Sequence, residues 1–88
     1  MLKKKINDEI FKIVDICEED ENKDCDCAIE MIENYLDFLV KNKEIIDYCY
    51  DVDYDVFDSC GLDIFYISIA FIDNNNTLKV TGISYRSY

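Results

Sequence analysis

Histidine and proline are absent from this chain, and glycine occurs only at Gly61 and Gly82. Without histidine, no side chain has an ordinary pKa near neutrality with which to act as general acid or base. Two isolated glycines exclude a glycine-rich phosphate loop. Aspartates could share acid and base work, but carboxylates in an exposed row lack the burial that tunes a catalytic pair. The chain is therefore not expected to be an enzyme. Bases are scarce as well, with 9 lysines and arginines against 20 acids and a formal charge of −11. An excess of that size disfavours nucleic acid and anionic membrane as direct partners and favours a basic protein surface.

Long apolar runs are missing too. The longest candidate, Ile64 to Ile72, is about half of what a membrane-spanning helix requires. The opening Met1-Leu2-Lys3-Lys4-Lys5 is charged like a signal peptide, but Ile6-Asn7-Asp8-Glu9 follows and no uninterrupted apolar segment does. Export by that route is not expected, nor is a membrane partner, and the expected location is the cytoplasm of a bacterial host. The five cysteines, Cys17, Cys25, Cys27, Cys49 and Cys60, are an odd number and fit a reducing compartment better than a disulfide framework. Cys25-Asp26-Cys27 is not the Cys-x-x-Cys pair of a zinc site, so neither metal nor cofactor is expected.

What is present supports a folded chain. Half of the 88 residues are apolar or aromatic, the usual globular share and more than a disordered acidic segment carries. That length suits a single domain, 1–88, burying roughly 60–65% of the surface its unfolded form exposes. Ile6, Ile10, Ile13, Val14 and Cys17 recur at helical spacing. They predict a first amphipathic helix capped by Asn7, with Asp8 and Glu9 in its first turn. Glu18 to Asp24 reads as a charged loop. Ile29, Ile32, Leu36 and Leu39 predict a second helix over about 25–41, with Asn42 as its stop.

From Ile45 onward the period changes to two, with β-branched and aromatic residues dominant. Strands are expected at Ile46 to Phe57, Leu62 to Ile72 and Leu78 to Tyr85. Turn chemistry at Asp58-Ser59-Cys60-Gly61 and Asp73-Asn74-Asn75-Asn76 makes them an antiparallel meander. The expected fold is thus α+β, two N-terminal helices packed on three strands in the order ααβββ, with Leu62 to Ile72 central. Gly82 marks an expected bulge, after which Ile83 and Tyr85 take over the apolar face from Leu78 and Val80.

Asp47 to Asp58 carries the most information. In Tyr48-Cys49-Tyr50-Asp51-Val52-Asp53-Tyr54-Asp55-Val56 the even positions are tyrosine or valine, so a strand turns Asp51, Asp53 and Asp55 to the opposite face. They would stand about 6–7 Å apart at roughly 3.3 Å of rise per residue. No lysine or arginine occurs from Glu44 through Leu78, whereas eight acids do, Asp47, Asp58, Asp63 and Asp73 among them. Such a row admits three readings: a mimic of a phosphate backbone, charge that keeps an edge strand from pairing with another chain, or a cation site. Asp51-x-Asp53-x-Asp55 opens like a calcium loop, but Val56 stands where glycine is required and Leu62 where the bidentate glutamate belongs. Of the seven tyrosines, Tyr35, Tyr48, Tyr50 and Tyr66 are assigned to the core. Tyr85 and Tyr88, near the end, are the interface candidates.

Isoleucine, asparagine, lysine, tyrosine and aspartate are abundant while alanine, glycine, arginine and proline are scarce, the usage that an A+T-rich coding sequence produces. In size, acidity, residue usage and lack of catalytic groups the whole chain resembles small phage-encoded inhibitors of bacterial defence, among them anti-CRISPR proteins and other DNA mimics. The resemblance implies occupation of a basic nucleic-acid-binding groove, such as that of a Cas effector. The expected partner-binding residues are Asp47, Asp51, Asp53, Asp55, Asp58 and Asp63 with Tyr85 and Tyr88. The alternative is a small adaptor or immunity-type protein whose tyrosines and apolar edge carry affinity while its acids only steer.

Overall fold

The computed structural model describes residues 2–20, 22–57 and 62–87. The elements follow the order α1 (Leu2–Glu19), α2 (Cys25–Lys41), β1 (Ile45–Phe57), β2 (Leu62–Asp73) and β3 (Leu78–Ser87). The fold is α+β, and the three strands form one antiparallel sheet in the order β1-β2-β3. Both helices lie on one face of that sheet. Their stripes (Ile6, Ile10, Val14 and Cys17 on α1; Ala28, Ile32, Leu36 and Leu39 on α2) meet Ile67, Ile69 and Phe71 of β2 in one buried core. Each of these side chains is at most 2% exposed, and truncating one of the isoleucines or leucines to alanine in such packing removes about 2–5 kcal/mol.

Helix α1 starts earlier than its apolar stripe suggests. Because it begins at Leu2, Asn7 lies within the helix and caps nothing; its Oδ1 instead accepts from the Thr81 hydroxyl on β3. Helix α2 has the boundaries expected. Asp24 accepts from the Cys27 N–H at 3.0 Å, which answers one of the orphan donors of the first turn and holds the Asp24 carboxyl below its usual range. At the other end Glu44 N–H reaches Leu39 O at 2.8 Å and Lys43 N–H reaches Val40 O at 3.0 Å. This pair of bonds turns the chain through Lys43 at φ 62°, a left-handed position usually given to glycine.

The β2–β3 turn is built by Asp73, whose Oδ1 accepts from Asn75 N–H at 3.0 Å and Thr77 N–H at 2.9 Å. Asn76 takes the left-handed position at φ 60°, which asparagine tolerates better than most residues. Asn74 then ties the turn to the α2–β1 connection by donating to Lys43 O at 2.9 Å.

The bulge is not at Gly82. Pairing of β2 with β3 is continuous from Asp63↔Ser87 to Ile72↔Leu78, so Leu78 and Val80 share the outer face with Gly82 while Ile83 and Tyr85 lie on the inner one throughout. The irregularity falls in β1, between Ile45 and Asp47. It absorbs Ile46, which is 51% exposed while Ile45 is 1% exposed.

Candidate protein-binding site

Register decides where each carboxylate goes. Tyr48, Val52 and Tyr54 pair with Phe71, Ile67 and Phe65 on the helix-bearing face. Asp47, Asp51, Asp53 and Asp55 pair with Ile72, Ser68, Tyr66 and Ile64 on the outer face, where all four are exposed. The sheet thus gathers four of the expected binding residues into one line, which at about 3.3 Å per residue runs some 26 Å.

The remaining candidates part company with that line. Asp63 lies on the inner face beyond the helices, where its Oδ1 accepts from Tyr54 O–H at 3.0 Å. Tyr85 must be removed from the interface: it is 2% exposed, packs edge-on against Phe65 at 6.3 Å, and its hydroxyl donates to Cys17 O at 3.2 Å. A buried ring with its hydroxyl aimed at a helix end fastens β3 to α1 and offers nothing to a partner. Asp58 and Tyr88 lie outside the described residues.

Two members of the row also serve their own strand. Asp47 Oδ1 accepts from the Tyr48 N–H at 2.8 Å and Asp51 Oδ1 from the Val52 N–H at 3.0 Å. These N–H groups point away from β2, so the side chains occupy the donors that a further strand would use. On the other side of the same edge, the Tyr48 hydroxyl donates to Asp37 at 2.6 Å and the Tyr50 hydroxyl donates to Glu33. The bond to Asp37, with burial and the carboxylate's charge behind it, pushes the Tyr48 hydroxyl up to about 12. The β1 edge is consequently flanked by carboxylates on both sides, from its own outer face and from α2. The acids of α2 escaped notice in the sequence because a charged helix face reads as mere solvation.

No protein family, curated protein or solved structure matches this chain. Its chemistry must be read from the face itself. Next to the acidic row, Tyr66, Leu78 and Val80 are 42%, 63% and 56% exposed, and Asp47, Cys49, Ala70, Ile72 and Leu78 line a shallow depression. The sequence assigned Tyr66 to the core and Leu78 and Val80 to the buried face. Strict alternation from Ile83 and Tyr85 would have found the latter two. Among the described residues no three Cys, Asp or Glu side chains converge as metal ligands would. Burial, followed by the charges of Asp26 and Asp24, lifts the Cys25 thiol to about 11.

Proposed function

We propose that this chain is a non-catalytic acidic inhibitor that occupies a basic nucleic-acid-binding groove of a partner protein, in the manner of anti-CRISPR proteins and other DNA mimics. The observation that carries the reading is the β1 edge: Asp47, Asp51, Asp53 and Asp55 in line on a stiff strand, with Glu33 and Asp37 behind them. Arginines and lysines arranged for phosphates meet a regular series of carboxylates there. Edge protection by Asp47 and Asp51 is compatible with this role, since each uses one oxygen on the backbone while the residue stays exposed.

The test is displacement. Titrated into a complex of a basic nucleic-acid-binding protein, such as a Cas effector, with its labelled nucleic acid, the chain should release the nucleic acid, and its affinity should fall steeply as salt rises. Asp53→Lys with Asp55→Lys should weaken that competition by about a hundredfold or more, roughly 3 kcal/mol. An unchanged affinity removes the mimic reading. The exposed strip of Tyr66, Leu78 and Val80 favours a second reading, an adaptor held by apolar contact, in which salt slows association and leaves dissociation much the same.

A further inference from the structure

Both helices pack on one side of the sheet, and among the described residues nothing covers the other. That outer face is divided lengthwise. The carboxylates of Asp47, Asp51, Asp53 and Asp55 follow β1, while Ile72, Ala70, Tyr66 and Ile64 make an apolar strip along β2 interrupted at Ser68; Leu78 and Val80 widen it on β3 beside Ile72 and Ala70, before Gly82, Ser84 and Arg86 follow. We infer that this face receives an amphipathic basic helix of the partner, laid along the strands with its apolar stripe on the strip and its lysines or arginines over the aspartates. The inference rests on the acidic edge being the interface, as proposed above, and specifies what meets it.

Two dimensions support a helix. A helix is about 10–12 Å across, and strands are about 4.8 Å apart, so a helix resting on β2 brings its flank beside β1. Positions i, i+4 and i+8 of a helix span about 12 Å along its axis, and Asp51, Asp53 and Asp55 span about 13 Å along theirs. Basic residues at that spacing meet the carboxylates one to one, within the reach of a flexible lysine stem. Charge also selects among occupants. A second copy would bring the same four carboxylates and the same net charge of −11, whereas a basic helix is drawn to them.

The probes are two synthetic peptides of about 18 residues, five helical turns, identical in composition. One carries a leucine stripe flanked by lysines at i, i+4, i+8 and i+12; in the other the same residues are scrambled. Binding is followed by fluorescence anisotropy at low and high salt, with circular dichroism confirming that each variant keeps its fold. The striped peptide should bind about tenfold or more tighter than the scrambled one. Val80→Lys, a change at an exposed position, should abolish that preference. Equal binding of both peptides overturns the helix inference and leaves the acidic reading standing. Binding that survives Asp53→Lys with Asp55→Lys overturns both. Self-association of the chain that Val80→Lys dissolves would give the face to a second copy and sink the inference.

Discussion

Tyr48 shows how a single residue joins sheet to helix. Its ring lies half-buried on the inner face, and its hydroxyl hands a proton to a shared bond with Asp37 of α2. Losing that proton would set a phenolate against the carboxylate, so the folded chain raises the hydroxyl from 10.0 to about 12. Because the folded state holds the proton more tightly than the unfolded state does, the contribution to stability is whole below pH 10 and is lost as pH rises through about 12. Spectrophotometric titration of tyrosinate should show a late component that Tyr48→Phe removes and Asp37→Asn moves to lower pH. Denaturant melts between those two pH values should fall more steeply for the parent chain than for Tyr48→Phe.

At the scale of elements, the two sides of β1 explain each other. The strand ends the sheet, yet its outward N–H groups at Tyr48 and Val52 are taken by the aspartates that precede them. Asp47→Ala with Asp51→Ala uncovers those donors and subtracts two repelling charges, so concentration-dependent association in sedimentation velocity should rise above that of the parent. Asn at both positions keeps an acceptor oxygen and should fall between. The sequence disclosed much of this architecture because its signals were local. Helix α2 was bracketed by the charged loop from Glu18 to Asp24 and by Asn42, although the cap that Asp24 supplies was not read, and the strands announced themselves by a change of period. Helix α1 began earlier than expected because Lys3, Lys4 and Lys5 carry no apolar signal and Asn7, a plausible cap, is used in a tertiary bond to Thr81. The facing of the aspartate row was legible from alternation alone. Asp63 was not, since its facing depends on how β2 registers against β1, and Tyr85 was misjudged because nearness to the chain end says nothing about which face of β3 it occupies.

The whole molecule is elongated, 45 × 21 × 18 Å, and most of its lysines lie toward one end, beside Glu44, Asp47 and Asp73. Lys3, Lys4, Lys5, Lys41, Lys43 and Lys79 gather where α1 begins, α2 ends and β3 starts. Glu18, Glu19, Asp20, Asp24, Asp53, Asp55 and Asp63 gather toward the opposite end, with Lys23 and Arg86 their nearby bases. An ion pair at the basic end, Lys5 with Glu44 at 2.8 Å, is exposed and contributes little. The acids at the other end repel one another with few counter-charges. Thermal melts should therefore rise in midpoint as sodium chloride is added, because screening relieves a net charge of −11 more than it weakens surface pairs. A midpoint that falls with salt would show that attraction outweighs the repulsion.

The irregularity at Ile46 governs how the chain tolerates changes in length. With Ile45 held in the core, an unbroken alternation would turn Asp47, Asp51, Asp53 and Asp55 toward the helices and the tyrosines toward solvent. One extra residue, set aside in the bulge, restores the phase. Loss of that residue would leave a regular strand with every later side chain facing as before. Loss of any residue between Tyr48 and Asp55 would instead exchange the two faces over part of the strand. Natural variation in length should thus concentrate at this one point of β1, and homologous chains aligned there by a single gap would keep the same charged face.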